Sequence, residues 1–127
     1  MNKKIILKLL LFLSLIGKAQ YTKLLDFSGS NGKNPYGSLI YDGTYLYGMT
    51  YMGGTNDSGV IFKIKPDGTG DTVLFNFNSN SGAAPTGDLL LNGSFLYGMT
   101  QTGGQNNNGT IFKIKTDGTG FLKLSTF

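Results

Sequence analysis

The chain has 127 residues and a mass of 13.6 kDa, room for one small domain. It contains no Cys, His, Trp, Arg or Glu, which excludes disulfide scaffolds, zinc sites built on Cys or His, Ser-His-Asp triads, Cys nucleophiles and paired-Glu acid–base chemistry. Eleven Lys against seven Asp give a formal charge of +4, but Lys3, Lys4, Lys8 and Lys18 supply all of the excess, and beyond residue 19 the chain is neutral. That neutrality argues against nucleic acid or an anionic membrane as a partner.

In chain order, the first element is a targeting segment. Met1 to Lys4 form a short basic region, Ile5 to Ile16 an apolar run interrupted by Lys8 and Ser14, and Gly17-Lys18-Ala19 places small residues at the −3 and −1 positions of a cleavage site. This is the layout of a secretory signal peptide over 1–19, and the run is shorter than the roughly 20 apolar residues of a membrane span. The expected destination is extracytoplasmic: secreted, periplasmic or at the cell surface. No stable membrane insertion follows cleavage.

From residue 20 onward the chain repeats itself. Residues 21–70 and 71–120 align without a gap at an offset of 50, with 26 identities in 50 positions, and a third copy begins at 121–127. Each repeat reads as four strands punctuated by glycine. The first is expected over about 38–41, after Pro35-Tyr36-Gly37. Asp42-Gly43, matched by Asn92-Gly93, is a dipeptide favoured in two-residue hairpin turns. The second strand, about 44–51, alternates Tyr45, Tyr47 and Met49 against Leu46, Gly48 and Thr50. Gly53-Gly54 and a polar loop lead to a third strand over about 60–65, where Val60, Phe62 and Ile64 alternate with Ile61, Lys63 and Lys65. The turn from Pro66 to Gly70 precedes a fourth strand over about 72–77. Segment 21–27 is a fourth-type strand standing alone before the first whole repeat. The fold class is therefore all-β: two four-stranded antiparallel, blade-like repeats forming part of a β-propeller.

A glycine pair closing the second strand ahead of an aromatic third strand is kelch-like, although the Trp of kelch blades is missing. The core Leu46-Tyr47-Gly48-Met49-Thr50, the pair Gly53-Gly54, Gly59, and Ile61 to Lys65 followed by Asp67-Gly68-Thr69-Gly70 return together at 96–120. In these residues the chain resembles the GloVer (Gloeo/Verruco) tandem repeat. The resemblance implies an extracytoplasmic protein whose longer relatives carry many repeats and a C-terminal sorting or anchoring segment, and it implies no catalytic residues.

Repetition separates framework from candidate site. Tyr47, Gly48, Gly53, Gly54, Gly59, Asp67 and Gly68, with Tyr97, Gly98, Gly103, Gly104, Gly109, Asp117 and Gly118, are retained and read as structural. The glycine pairs could cradle an anion, but no helix or Lys-Ser/Thr follows them, so they read as turns. Of the seven Asp, only Asp67 and Asp117 are retained between repeats, and one carboxylate per repeat does not build a calcium cage. No metal, cofactor or catalytic residue is expected. The ligand-facing candidates are the positions that differ or lie in polar loops: Tyr51, Thr55, Asn56, Asp57 and Ser58, and Gln101, Gln105, Asn106, Asn107 and Asn108.

Two function classes remain: a secreted non-enzymatic module binding glycan or protein at the cell surface, or the propeller portion of an extracellular polysaccharide lyase or hydrolase. Two blades bury little of their own faces, so further repeats or self-association are expected. The chain then reads as a fragment of a longer array or a lectin-like chain that oligomerises into a full propeller. Export should remove residues 1–19. Intact-mass analysis of protein recovered outside the cytoplasm is expected to show a chain beginning at Gln20, and a product retaining Met1 would contradict the signal-peptide reading.

Overall fold

The computed structural model describes residues 17–127. Most of the expected signal peptide, residues 1–16, lies outside the described residues. The described chain is all-β. β1 (Lys33–Tyr41), β2 (Leu46–Met52), β3 (Val60–Ile64) and β4 (Thr72–Asn76) form one antiparallel sheet in sequence order. β5 (Ala83–Asn92), β6 (Phe95–Thr102), β7 (Thr110–Lys115) and β8 (Leu122–Thr126) form a second, in the same order and with matching register. Met49 faces Ile61 across β2 and β3, as Met99 faces Ile111 across β6 and β7.

The alternation read in the sequence is the alternation of the sheets. Tyr47, Met49 and Ile61 point from the N-terminal sheet onto Leu89, Leu96, Phe112 and Ile114 of the C-terminal sheet, and Phe77 closes the cluster. Val60, Phe62 and Ile64 point the other way, onto Leu24, Leu25 and Phe27. The two sheets thus stack on a shared apolar layer, the arrangement that removes most apolar area from water. Thr100 and Thr110 are buried within it and bond to each other at 2.9 Å, while Thr50, buried on the opposite face of the N-terminal sheet beside Val60, donates to the Met52 carbonyl at 2.8 Å.

Three boundaries differ from the sequence reading. The first strands begin at Lys33 and Ala83 and so run through Pro35 and Pro85, upstream of the expected start. They are edge strands, where a missing N–H breaks no ladder, and both carry a register shift, between Tyr36 and Ile40 and between Thr86 and Leu90. Gly37, at φ +86°, bends the first of these bulges, and any Cβ there would strike the Gly87 carbonyl. Second, the hairpin turn is Gly43-Thr44 rather than Asp42-Gly43. Of these residues only Gly43 has a positive φ, while Asp42 accepts from the N–H groups of Thr44 and Tyr45 at 2.8 and 2.7 Å.

Third, segment 21–27 forms no strand, since among the described residues no third-type strand lies beside it to pair with, yet its Leu24, Leu25 and Phe27 still pack on the N-terminal sheet. Phe77, fully buried at the joint, should be the costliest side chain to remove. Phe77→Ala is expected to lose about 3–5 kcal/mol in urea unfolding, whereas Tyr21→Ala, on a side chain open to solvent, should stay within about 0.5 kcal/mol.

Candidate functional site

The end of each sheet where its second strand hands over to its third forms a rim. The loops between β2 and β3, and between β6 and β7, lie there, and the rim is built mainly by local hydrogen bonding. Asp57 and Asn107 take a positive φ, and their side-chain oxygens accept from the Gly53 and Gly103 N–H groups at 2.9 and 2.8 Å. Short polar side chains tolerate that backbone region and close such loops on themselves. The Gly54 N–H donates to the Gly29 carbonyl and the Gly104 N–H to the Ser79 carbonyl, each at 2.8 Å. The amides of both glycine pairs are therefore engaged by the protein, as the turn reading required.

The loop candidates divide accordingly. Asp57 and Asn107 hold their turns, and the Asn56 amide donates to the Phe77 carbonyl at 2.9 Å. The Thr55 N–H is anchored by Asn76 and the Gln105 N–H by Thr126. Ser58 is half-buried, and its carbonyl accepts from the Ala84 N–H across the joint. The side chains of Thr55, Gln105, Asn106 and Asn108 face solvent from these braced backbones.

Tyr51 and Gln101 occupy the same position in successive repeats, and the stacking brings them together. The Tyr51 hydroxyl donates to Gln101 Oε1 at 2.9 Å, and the Tyr36 ring lies 6.4 Å from that of Tyr51. Tyr51, a ligand-facing candidate in the sequence, is half-buried. Tyr36, 57% exposed, supplies the open aromatic surface of the cluster. Sequence reasoning passed over Tyr36. The available signal was the exchange of Tyr36 for Thr86 in the second repeat, the same kind of difference that marked Tyr51.

Three further acidic groups, Asp42, Asp67 and Asp117, serve turns at the opposite end of the sheets. Asp67 and Asp117 each accept from the hydroxyl and the N–H of the threonine two residues on, and those hydrogen bonds hold both carboxyls below the ordinary value of 3.8. Desolvation pushes the Asp42 carboxyl up. Hydrogen bonds from the Tyr45 N–H, the Tyr47 hydroxyl and the Thr44 N–H outweigh it and leave the carboxyl lowered. The buried Tyr47 phenol is raised by desolvation and by its 2.7 Å bond to Asp42. Among the described residues, no group of three or more acidic side chains converges as a metal site would require.

A sequence profile of the Gloeobacter/Verrucomicrobia repeat matches residues 11–127. The chain belongs to that family. No curated protein and no solved structure matches it. In this Gloeobacter/Verrucomicrobia repeat chain, the framework positions that recur every 50 residues are the ones that fill the joint and its turns, while the rim carries much of the difference between repeats.

Three lowered carboxyls favour the folded chain when they are ionised. Their contribution is complete above the unfolded value near 3.8 and is lost as pH falls through the lower folded values. Thermal midpoints should therefore fall on acidification below about pH 4. Asp42→Asn, which installs the residue found at Asn92, should flatten part of that fall, and an unchanged acid limb would count against the Asp42 assignment.

Proposed function

We propose that this chain is an extracytoplasmic, non-catalytic binding module, built as part of a β-propeller, whose rim recognises glycans. The observation that carries the reading is the cluster of Tyr36, Tyr51 and Gln101. An open tyrosine ring stands beside a tyrosine–glutamine pair bridging two sheets, at positions where an otherwise retained repeat diverges. A rigid aromatic face offers apolar area at little entropic cost, and a neighbouring amide supplies orientation-dependent hydrogen bonds. The polar loop side chains of Thr55, Gln105 and Asn106 extend the same edge. Support for a non-catalytic role comes from composition: without His, Glu, Cys or Arg the chain has few groups able to move a proton near neutral pH. Support for export comes from the basic, then apolar, then small-residue order of the first nineteen residues.

A glycan microarray probed with the purified chain should yield one related set of neutral saccharides. Tyr36→Ala and Gln101→Ala should each weaken binding to the best of them by about tenfold, equivalent to 1.4 kcal/mol. Lys123→Ala, at a position away from this cluster, should leave it unchanged. A blank array, or variants that bind as the parent does, would remove the reading.

A further inference from the structure

The two outer faces of the molecule repeat the two halves of its own joint. The C-terminal sheet receives the N-terminal sheet on Pro85, Leu89, Leu96, Phe112 and Ile114. The same positions one repeat earlier hold Pro35, Leu39, Leu46, Phe62 and Ile64, identical residue for residue. The N-terminal sheet presents Ile40, Tyr47, Met49 and Ile61 to the joint, and their counterparts are Leu90, Tyr97, Met99 and Ile111. Burial separates these equivalents. Leu89 is 4% exposed against 52% for Leu39, and Met49 is 2% exposed against 55% for Met99.

The receiving face of the N-terminal sheet is partly covered by segment 21–27, and the cover is informative. The Leu24 carbonyl lies 3.2 Å from where a Cβ of Gly68 would stand, and the Leu74 carbonyl lies 3.0 Å from the equivalent point at Gly118. Phe27 meets Phe62 edge-on at 5.1 Å, as Phe77 meets Phe112 at 5.2 Å. Segment 21–27 therefore sits on the N-terminal sheet as β4 and Phe77 sit on the C-terminal sheet. Among the described residues no further sheet covers this face, and an apolar groove of about 290 Å³ lined by Leu24, Phe27, Tyr36, Leu39 and Phe62 opens there. At the corresponding place in the joint stand Tyr47, Met49 and Ile61.

We propose that the occupant of this groove is a second copy of the same chain, docked head to tail, with its β8 and Phe127 displacing segment 21–27. The displacement is required because both would fill one seat: Leu124 and Phe127 stand one repeat beyond Leu74 and Phe77 and two beyond Leu24 and Phe27. It favours β8, which is hydrogen-bonded along β7, over a segment that has no ladder of its own. Leu124 and Phe127 are open to solvent, as residues waiting for that seat should be. The contact is heterologous, so it propagates until it closes into a ring or continues as an open series.

Sedimentation velocity of the purified chain over a concentration series tests this. The parent chain should associate reversibly. Met99→Asp on the presenting face and Leu39→Asp on the receiving face should each weaken association more than about tenfold, because either would bury an unpartnered carboxylate. Mixed together, the two variants should form a one-to-one dimer and nothing larger, since each retains one intact face. Leu90→Asp, on another exposed residue of the presenting face, serves if Met99→Asp loses the circular dichroism of the parent. Phe27→Ser should strengthen association by loosening the segment that must leave. A monomeric parent, single variants that still associate, or a mixture that stays monomeric would each overturn head-to-tail docking. A Phe27→Ser chain that associates no better than the parent would overturn the displacement.

Discussion

Phe77 holds the two repeats in one structure. It directly follows the fourth strand of the first repeat, its N–H donates to the Gly59 carbonyl at 3.0 Å, and its ring lies edge-on to Phe112 of the second. Phe112 can lie in that position only because Gly98 beneath it has no side chain: a Cβ there would come within 2.6 Å of the ring. Pro85 then rests on Gly59 at the start of β3, so the joint is fixed at its rim as well as in its middle. Two of these contacts, Phe77 on Phe112 and Pro85 on Gly59, use one residue from each repeat. A repeat alone would leave half of both facing water, the condition that makes repeat architectures depend on their neighbours.

Much of the fold was legible because the physical requirement and the sequence signal share a period. Successive side chains of a strand point to opposite faces, and Tyr47, Met49 and Ile61 on one face with Leu46, Phe62 and Ile64 on the other follow that period in both copies. The strand starts were less legible. Pro35 and Pro85 read as breakers, and only the edge position of β1 and β5, a property of sheet order, lets a strand run through them. Segment 21–27 shows the reverse case. Its pattern of Leu24 and Phe27 specifies the packing correctly, but a strand also needs a partner backbone, which local pattern does not encode.

The candidate site was legible in position and less so in detail. Divergence between copies marked the rim, yet it did not distinguish side chains that meet solvent from those that hold loops. Asp57 and Asn107 differ in charge but perform one task, because an Asp carboxylate and an Asn amide oxygen accept the same glycine N–H. Phe121 makes a similar point inside the structure. It stands one repeat beyond Asp71 and stacks on Phe75 at 4.0 Å, where the earlier copy has Leu25. Its divergence follows a change in what it packs against rather than a change of function.

Where stacking sets a residue directly against its own counterpart, identity between repeats becomes a constraint of its own. Gly37 and Gly87 meet this way, and the bare backbone at Gly37 is what fits against the Gly87 carbonyl. Ser38 and Asp88 meet through a 2.6 Å bond from the Ser38 N–H to the Asp88 carboxylate, and Tyr51 and Gln101 through a hydroxyl donated to an amide oxygen. A second Asp at position 38 would set two carboxylates side by side, a repulsive pairing that raises the energy of the stacked form. A second Tyr at 101 would replace a short amide acceptor with another ring. Such positions are free to be identical only when the residue complements itself, and otherwise the two copies must differ in a matched way. Divergence at Ser38/Asp88 and Tyr51/Gln101 is thus part of how the second repeat recognises the first. The pair at the rim joins the two sheets with the same hydroxyl and amide that it turns toward solvent.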